Sequence, residues 1–137
     1  MNDFNASLTI AASGMHAQSA RMTVIAENLA NADSAGKTPT DIPYRRRIPT
    51  FKAVFDEELG ATKVAIGRVA YDNSAFDSRY EPGHPAADAK GYVRYPNVNS
   101  QIEAMDMRQA QRTYEANLNV ITATREMLGQ TLNILKG

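Results

Sequence analysis

Both ends of the chain place hydrophobic residues at a spacing of seven. In the N-terminal part these residues are Leu8, Met15, Met22 and Leu29. In the C-terminal part they are Met107, Tyr114, Ile121, Leu128 and Leu135, with Leu118 and Leu132 at the companion heptad positions. A seven-residue spacing keeps side chains on one stripe of a helix, and a second helix is needed to bury that stripe. We therefore predict two long helices that pack through these residues against each other and against other subunits.

The two helices have recognisable starts and stops. The first is predicted from about Phe4 to about Asn31, because glycine and prolines follow it. The second is predicted from Ser100 to about Leu135, with Ser100 as the cap and Glu103 reaching back to it in a capping box. The chain between the helices must join them. We therefore expect them to pair as an antiparallel, coiled-coil-like hairpin.

The middle of the chain, residues 35–98, differs in composition from both ends. It contains all six prolines and five of the eight glycines, so turns are frequent. Partial alternation predicts strands at 64–71 and 92–95, and residues 48–55 are predicted as a third strand or a short helix. We expect a mainly α protein with a small β-rich insert. Residues 1–34 and 99–137 would form one discontinuous helical domain, and 35–98 the insert.

Composition argues against several kinds of site. The chain has no cysteine, and its two histidines, His16 and His84, lack the spacing of metal ligands. It contains neither a phosphate-binding glycine loop nor a constellation of catalytic side chains. We therefore predict a protein that is not an enzyme and binds no metal or cofactor. No apolar run is long enough for a membrane span, and the N-terminus lacks the pattern of a cleaved secretory signal.

One basic cluster, Arg45 to Arg47, follows Tyr44. Arginines beside an aromatic residue could contact nucleic acid. The formal net charge of the chain is +0, which does not favour a polyanionic partner. A solvated loop, or a docking patch for an acidic protein, is the preferred interpretation, with a small nucleic-acid-binding module as the alternative.

Short motifs at both ends resemble those of a known family. The N-terminal residues Ser13, Gly14 and Met15, followed by Asn28, Leu29, Ala30 and Asn31, resemble the signature of the axial proteins of the bacterial flagellum. The C-terminal residues Tyr114, Glu115, Ala116 and Asn117 are similar to the matching signature at the other end of that family. Residues 43–47 and 80–85 resemble the small proximal rod member.

The resemblance implies a structural subunit of the proximal rod in the flagellar basal body, with another flagellar axial protein as the alternative. It implies copies of the chain, other rod proteins, a basal-body adaptor at the export gate and the flagellar type III export apparatus as partners, with no nucleic acid and no direct membrane span. The expected location is the periplasmic rod, reached without a cleaved signal peptide.

Phe51 and Phe55 have a spacing that resembles an export-gate motif of such substrates. Two phenylalanines four residues apart are also what a small core would contain. Both interpretations remain open at the level of sequence.

Overall fold

Along the chain, one long helix is followed by six short strands and then by a second long helix. A computed structural model describes residues 2–137, with side chains from Asp3 onward. The elements are helix α1 (Asn2–Ala30), strands β1 (Arg47–Ile48), β2 (Phe51–Asp56), β3 (Ala61–Ile66), β4 (Ala70–Tyr71), β5 (Asp77–Tyr80) and β6 (Tyr92–Tyr95), and helix α2 (Ser100–Lys136). The mainly α fold with a β-containing insert is confirmed.

Helix α1 extends over 29 residues, within two residues of the predicted bounds. Its buried positions include the small residues Ala11 and Ala17, each at most 3% exposed, and the larger Val24 and Ile25. At its end the amide of Asn31 donates to the carbonyl of Glu27 at 3.1 Å, and the Asn31 side chain donates to the same carbonyl at 2.9 Å. The last turn is therefore closed by its own chain.

Helix α2 extends over 37 residues, as the periodicity predicts, but the predicted capping box is wrong. Oδ1 of Asn99 accepts hydrogen bonds from the amides of Gln101, at 3.1 Å, and Ile102, at 3.2 Å. Asn99 is therefore the cap, and Ser100 is the first helical residue. Asparagine caps a helix as well as serine does. Glu103 does not reach back, because its carboxylate is bound to residues of the insert and of α1.

The insert contains three two-stranded antiparallel sheets, which pair β1 with β4, β2 with β3, and β5 with β6. The predicted strand at 92–95 is confirmed as β6. The predicted strand at 64–71 is interrupted after Ile66, where the Gly67 amide donates to the Thr50 carbonyl at 2.7 Å. Residues 48–55 form strands and not a helix, and the break falls at Pro49, which has no amide to donate.

The chain divides into two compact units. One contains Met1–Met22, Thr50–Arg68 and Arg108–Gly137, and the other Thr23–Pro49 and Val69–Met107. In the second unit, Val93 and Tyr95 on the inner face of β6 pack with Ala86 in a small apolar core. The hydroxyl of Tyr95 donates to Glu81 at 2.8 Å, a hydrogen bond that raises the pKa of Tyr95. In the residues that the structure describes, neither helix is long and apolar enough to span a bilayer.

Candidate functional site

The predicted packing stripes lie at the surface of the single chain. Most of their residues are half-buried, with neighbours on only some sides: Leu8, Met15, Met22, Leu29, Met107, Tyr114, Ile121 and Leu128. The fully buried helix positions lie off the stripes and include Val24, Ile25, Ala110 and Thr124. Half-buried stripes of this kind leave apolar surface that a further helix could cover.

The C-terminal part of α2 exposes the most apolar surface. Leu118 is 45% exposed and Leu132 41%, while Ile134 and Leu135 are 80% and 77% exposed. Soluble monomers rarely expose large contiguous apolar patches, and such patches mark interaction sites. This part of α2 is the candidate assembly surface.

The two family-like signatures meet in the first unit. A Cβ atom on Gly14 would lie 2.8 Å from Nδ2 of Asn117, so glycine is what allows the α1 backbone to come this close. Beside it, the hydroxyl of Ser13 donates to the Ile10 carbonyl at 2.7 Å and accepts from the amide of Val64 at 3.2 Å. Gly14 and Asn117 thus serve packing within the chain. The signature residues Glu115 and Ala116 are exposed, as is Ala30.

Asn28, from the N-terminal signature, is 1% exposed and is bonded on both sides of its carboxamide. Its oxygen accepts from the Tyr44 hydroxyl at 2.8 Å and from the Arg47 amide at 3.0 Å. Its nitrogen donates to the Arg47 carbonyl at 2.8 Å and to Glu103 at 3.4 Å. The carboxamide therefore bonds both backbone groups of Arg47 and links α1 to α2 inside the second unit. Burial of the Tyr44 hydroxyl raises its pKa.

Arg46 lies at the centre of the second unit and contacts three carboxylates. Its Nε donates to Glu103, and its Nη atoms lie 3.3 Å from Asp72 and 3.7 Å from Asp106. Glu103 is 1% exposed, so its charge depends on this pairing. Burial alone would lower the pKa of Arg46, but the hydrogen bond and charge of Glu103, with those of Asp72, raise it.

The neighbouring arginines are also bound within the chain. Arg45 donates to the carbonyls of Asp72, at 2.7 Å, and Ser74, at 3.1 Å, and its guanidinium lies 4.2 Å from the centre of the Phe76 ring. Arg47 donates to Glu27 at 2.5 Å. The interpretation of Arg45 to Arg47 as a solvated loop or docking patch is therefore wrong. These arginines hold the insert to both helices within the second unit, and the arrangement gives the nucleic-acid alternative no support.

Two residues of this network have no local signal in the sequence. Asn97 accepts from the amide of Arg46 at 2.8 Å and donates to the carbonyl of Asp72 at 2.9 Å. Hydrogen bonds from the amide and hydroxyl of Ser74, with a further contribution from Arg46, lower the pKa of Asp72. The only hint in the sequence is that Asn97 directly follows a proline and precedes the cap of α2.

Phe51 and Phe55 lie on the same face of β2 and are 41% and 62% exposed. The interpretation as core phenylalanines is therefore wrong. Val64, opposite Ala53 on the same face of the hairpin, is 40% exposed. The face is apolar and accessible, as a recognition motif would need to be.

No group of three or more His, Asp or Glu side chains within residues 2–137 is arranged to hold a metal ion. The carboxylates near α2 are bound to arginine and to backbone amides. What the arrangement offers is contact surface on α2, with a rigid ionic network at its N-terminal end.

Two family models match the chain. One, described as flagella basal body rod protein, matches residues 8–36, and the other, described as flagellar basal body rod FlgEFG protein C-terminal, matches residues 89–134. The first covers most of α1 and the second most of α2.

Curated relatives extend the similarity over nearly the whole chain. The flagellar basal-body rod protein FlgC of Agrobacterium fabrum is 44% identical over 136 residues, covering 99% of this chain and 98% of the relative. The protein of the same name from Aquifex aeolicus is 40% identical, covering 99% of both chains. That from Bacillus subtilis is 33% identical, covering 95% and 97%.

Proposed function

Since this chain belongs to the family of flagellar basal-body rod proteins, we propose that its exposed α2 stripe is the surface through which it assembles with other rod subunits. The chain is a structural subunit of the proximal rod of the bacterial flagellum, not an enzyme. The observation that carries the proposal is the exposure of Leu118, Leu132 and Leu135 on the helix with the strongest heptad pattern.

The helices pair antiparallel in this proposal. Two contacts in the first unit support it: Gly14 approaches Asn117, and Arg21 donates to Gln109 at 3.1 Å. In these contacts, the residue that is further along α1 meets the residue that is nearer the start of α2. Leu8, nearer the start of α1, lines one cavity with Ile121, further along α2. The same order is what a hairpin of two heptad stripes requires.

The partners in this proposal are copies of the chain and other rod proteins. The half-buried residues of both stripes would contact neighbouring helices, and the exposed C-terminal leucines would be covered by them. Buried helix contacts at every copy would give the assembly the rigidity needed to transmit torque. The place of assembly in this proposal is the periplasmic rod.

Export in this proposal uses the flagellar type III apparatus and a basal-body adaptor at its gate. The exposed face with Phe51 and Phe55 supports recognition of an unassembled chain. Two exposed aromatic side chains on one strand face can enter two apolar pockets. Phe51→Ala with Phe55→Ala should reduce export.

The test of the assembly surface is a soft-agar swimming assay of Leu118→Asp, with secretion of the variant measured in parallel. A charge placed in a dry contact between subunits should prevent rod assembly and leave export intact. Asn119→Asp is the matched control, because it adds the same charge to an exposed residue of the same helix, off the stripe.

A second variant lacks residues 130–137 and so loses Leu132 and Leu135. It should be exported but not assembled. Normal swimming of cells with Leu118→Asp, or with the truncated protein, would refute the assembly role of the α2 stripe.

A further inference from the structure

An open groove lies between α1 and β3 in the first unit. It has a volume of about 590 Å³. Its main lining residues are Thr9, Ala12 and His16 from the helix and Val64, Ala65 and Ile66 from the strand. The hydrogen bond from the Val64 amide to Ser13 fixes the strand against the helix. A polar contact therefore joins the two elements that form the groove, and the side chains that line it are mostly apolar.

Among the residues that line the groove, Lys63 is the only Lys, Arg, Asp or Glu side chain, and it lies 2.9 Å from Asp56. The hydrogen bond from Lys63, with that from the Leu59 amide, lowers the pKa of Asp56, so this carboxylate is ionised at neutral pH beside the Lys63 amine. A neutral, apolar segment could enter the groove without leaving an unpaired charge in a dry contact.

The end of α2 is such a segment. Residues 127–135 contain no charged side chain, and Glu126 and Lys136 border them. Leu128, Leu132 and Leu135 lie one turn apart on a common stripe. A Cβ atom on Gly129 would meet nothing within 4 Å, so the backbone beside this stripe is bare and can be approached closely. The segment 127–135 is called the α2 tip below.

The α2 tip cannot fill the groove of its own chain. Leu8 lines a cavity with Ile121 and Arg125. With antiparallel helices, the ten residues from Arg125 to Leu135 carry α2 about 15 Å further, away from the groove at residues 9–16. Each chain therefore has an apolar ridge, of which Leu132 and Leu135 are exposed and Leu128 is half-buried, and an open apolar groove.

We propose that the groove between α1 and β3 binds the α2 tip of a second copy of this chain. The inference rests on the proposed function and specifies the contact. A ridge on one copy that enters a different surface on the next is a heterologous contact, which repeats without closing on itself unless the rotation forms a ring. Such contacts build helical assemblies, as a rod requires.

Cysteine cross-linking tests the contact directly, because the native chain has no cysteine. One tagged copy carries Ala65→Cys and a second, differently tagged copy carries Leu132→Cys. Both are expressed in cells without the native protein, checked for swimming under reducing conditions, and oxidised in isolated basal bodies. We expect a disulfide-linked dimer that contains both tags. If Leu132→Cys does not assemble, Gly129→Cys takes its place.

The matched control pairs Ala65→Cys with Ala116→Cys, an exposed residue off the α2 stripe. Absence of the mixed dimer, or an equal yield with Ala116→Cys, would overturn the proposal. A single chain that carries both Ala65→Cys and Leu132→Cys gives the remaining test. An internal disulfide in that chain would show that the tip folds back onto its own groove, and would also overturn it.

A charge swap separates this inference from the proposed function. Ala65→Arg and Leu132→Glu should each abolish swimming, and the double variant should restore part of it, because the new charges pair across the contact. Normal swimming with Ala65→Arg, together with loss of swimming with Leu118→Asp, would refute the groove and leave the α2 stripe as the assembly surface.

Discussion

The two ends of helix α2 show opposite relations between polarity and burial. Near its start, the carboxylate of Glu103 is 1% exposed, whereas near its end Ile134 and Leu135 are 80% and 77% exposed. In most soluble proteins a charged residue is exposed and a leucine is buried. The same helix therefore places a charge inside the chain and its most apolar residues outside.

This difference in burial shows whether each end of α2 is contacted within its own chain or left for another subunit. Glu103 has its partners within the chain, since Arg46 and Asn28 bind its two oxygens. Such pairing offsets the cost of removing a carboxylate from water. The leucines of the last turns lack such cover in the residues that the structure describes. We infer that the start of α2 finds its contacts when the chain folds, and that its end finds them when subunits assemble.

The largest expected effect is that of Arg46→Ala on folding. Removing the guanidinium leaves Glu103 buried without its cation, so the free energy of unfolding should fall by on the order of 3 kcal/mol. Urea unfolding of the purified protein, followed by tyrosine fluorescence, measures the change. If Arg46 lay in a solvated loop, as the sequence suggests, Arg46→Ala would change the free energy of unfolding by only about 0.5 kcal/mol, so the two interpretations predict effects that differ several-fold.

Arg68→Ala is the control for that experiment, because Arg68 is an exposed arginine between β3 and β4. Its replacement should change the free energy of unfolding by less than about 0.5 kcal/mol. Equal effects of Arg46→Ala and Arg68→Ala would mean that the network does not stabilise the start of α2.

A smaller loss of folding stability is expected at acidic pH. The folded-state pKa of Asp72 is lowered, so its ionised form stabilises the fold above the unfolded-state pKa of about 4. This contribution is lost as the pH falls through the lower, folded-state pKa. The native protein should therefore lose more stability between pH 6 and about pH 3 than Asp72→Asn does, because the variant lacks the contribution at every pH.

Urea unfolding of both proteins at a series of pH values measures the difference between them. An identical loss of stability in the native protein and in Asp72→Asn would contradict the assignment. The α2 tip has no titratable side chain in residues 127–135, so acid should act on the start of the helix and not on its end.

The smallest effect on folding is expected from Leu135→Asp. Because this side chain is exposed in the single chain, the free energy of unfolding should change by less than about 0.5 kcal/mol. Swimming should nevertheless be lost, since the charge would fall in a contact between subunits. Asn133→Asp adds the same charge to another exposed residue of the tip and should have the milder effect on swimming. A loss of stability as large as that of Arg46→Ala would contradict the comparison.

Much of the helical architecture could be predicted from local patterns. Heptad spacing and the prolines beyond it placed α1 within two residues of its observed ends. Strand β6 was also predicted, from Tyr92 to Tyr95 after a turn-rich segment, and in the structure its residues alternate between exposed and buried positions. The cap of α2 was misplaced by one residue, since Asn99 and Ser100 are both good caps and sequence alone does not choose between them.

The network around Arg46 could not be predicted. Its carboxylate partners Asp72 and Glu103 lie 26 and 57 residues away along the chain. Three consecutive arginines have the same local pattern whether they are solvated, bind a partner or pair internally. Only the folded chain distinguishes these cases.

Local sequence patterns are sufficient to predict the two helices, the stripes along them and the turn-rich character of the insert. These features follow from backbone geometry that repeats every few residues, so the spacing of residue types along the chain reveals them. The burial of Glu103, the exposure of Leu135 and the internal pairing of the arginines are seen only in the folded chain. Burial and ion pairing depend on which distant segments meet, and no local pattern carries that information.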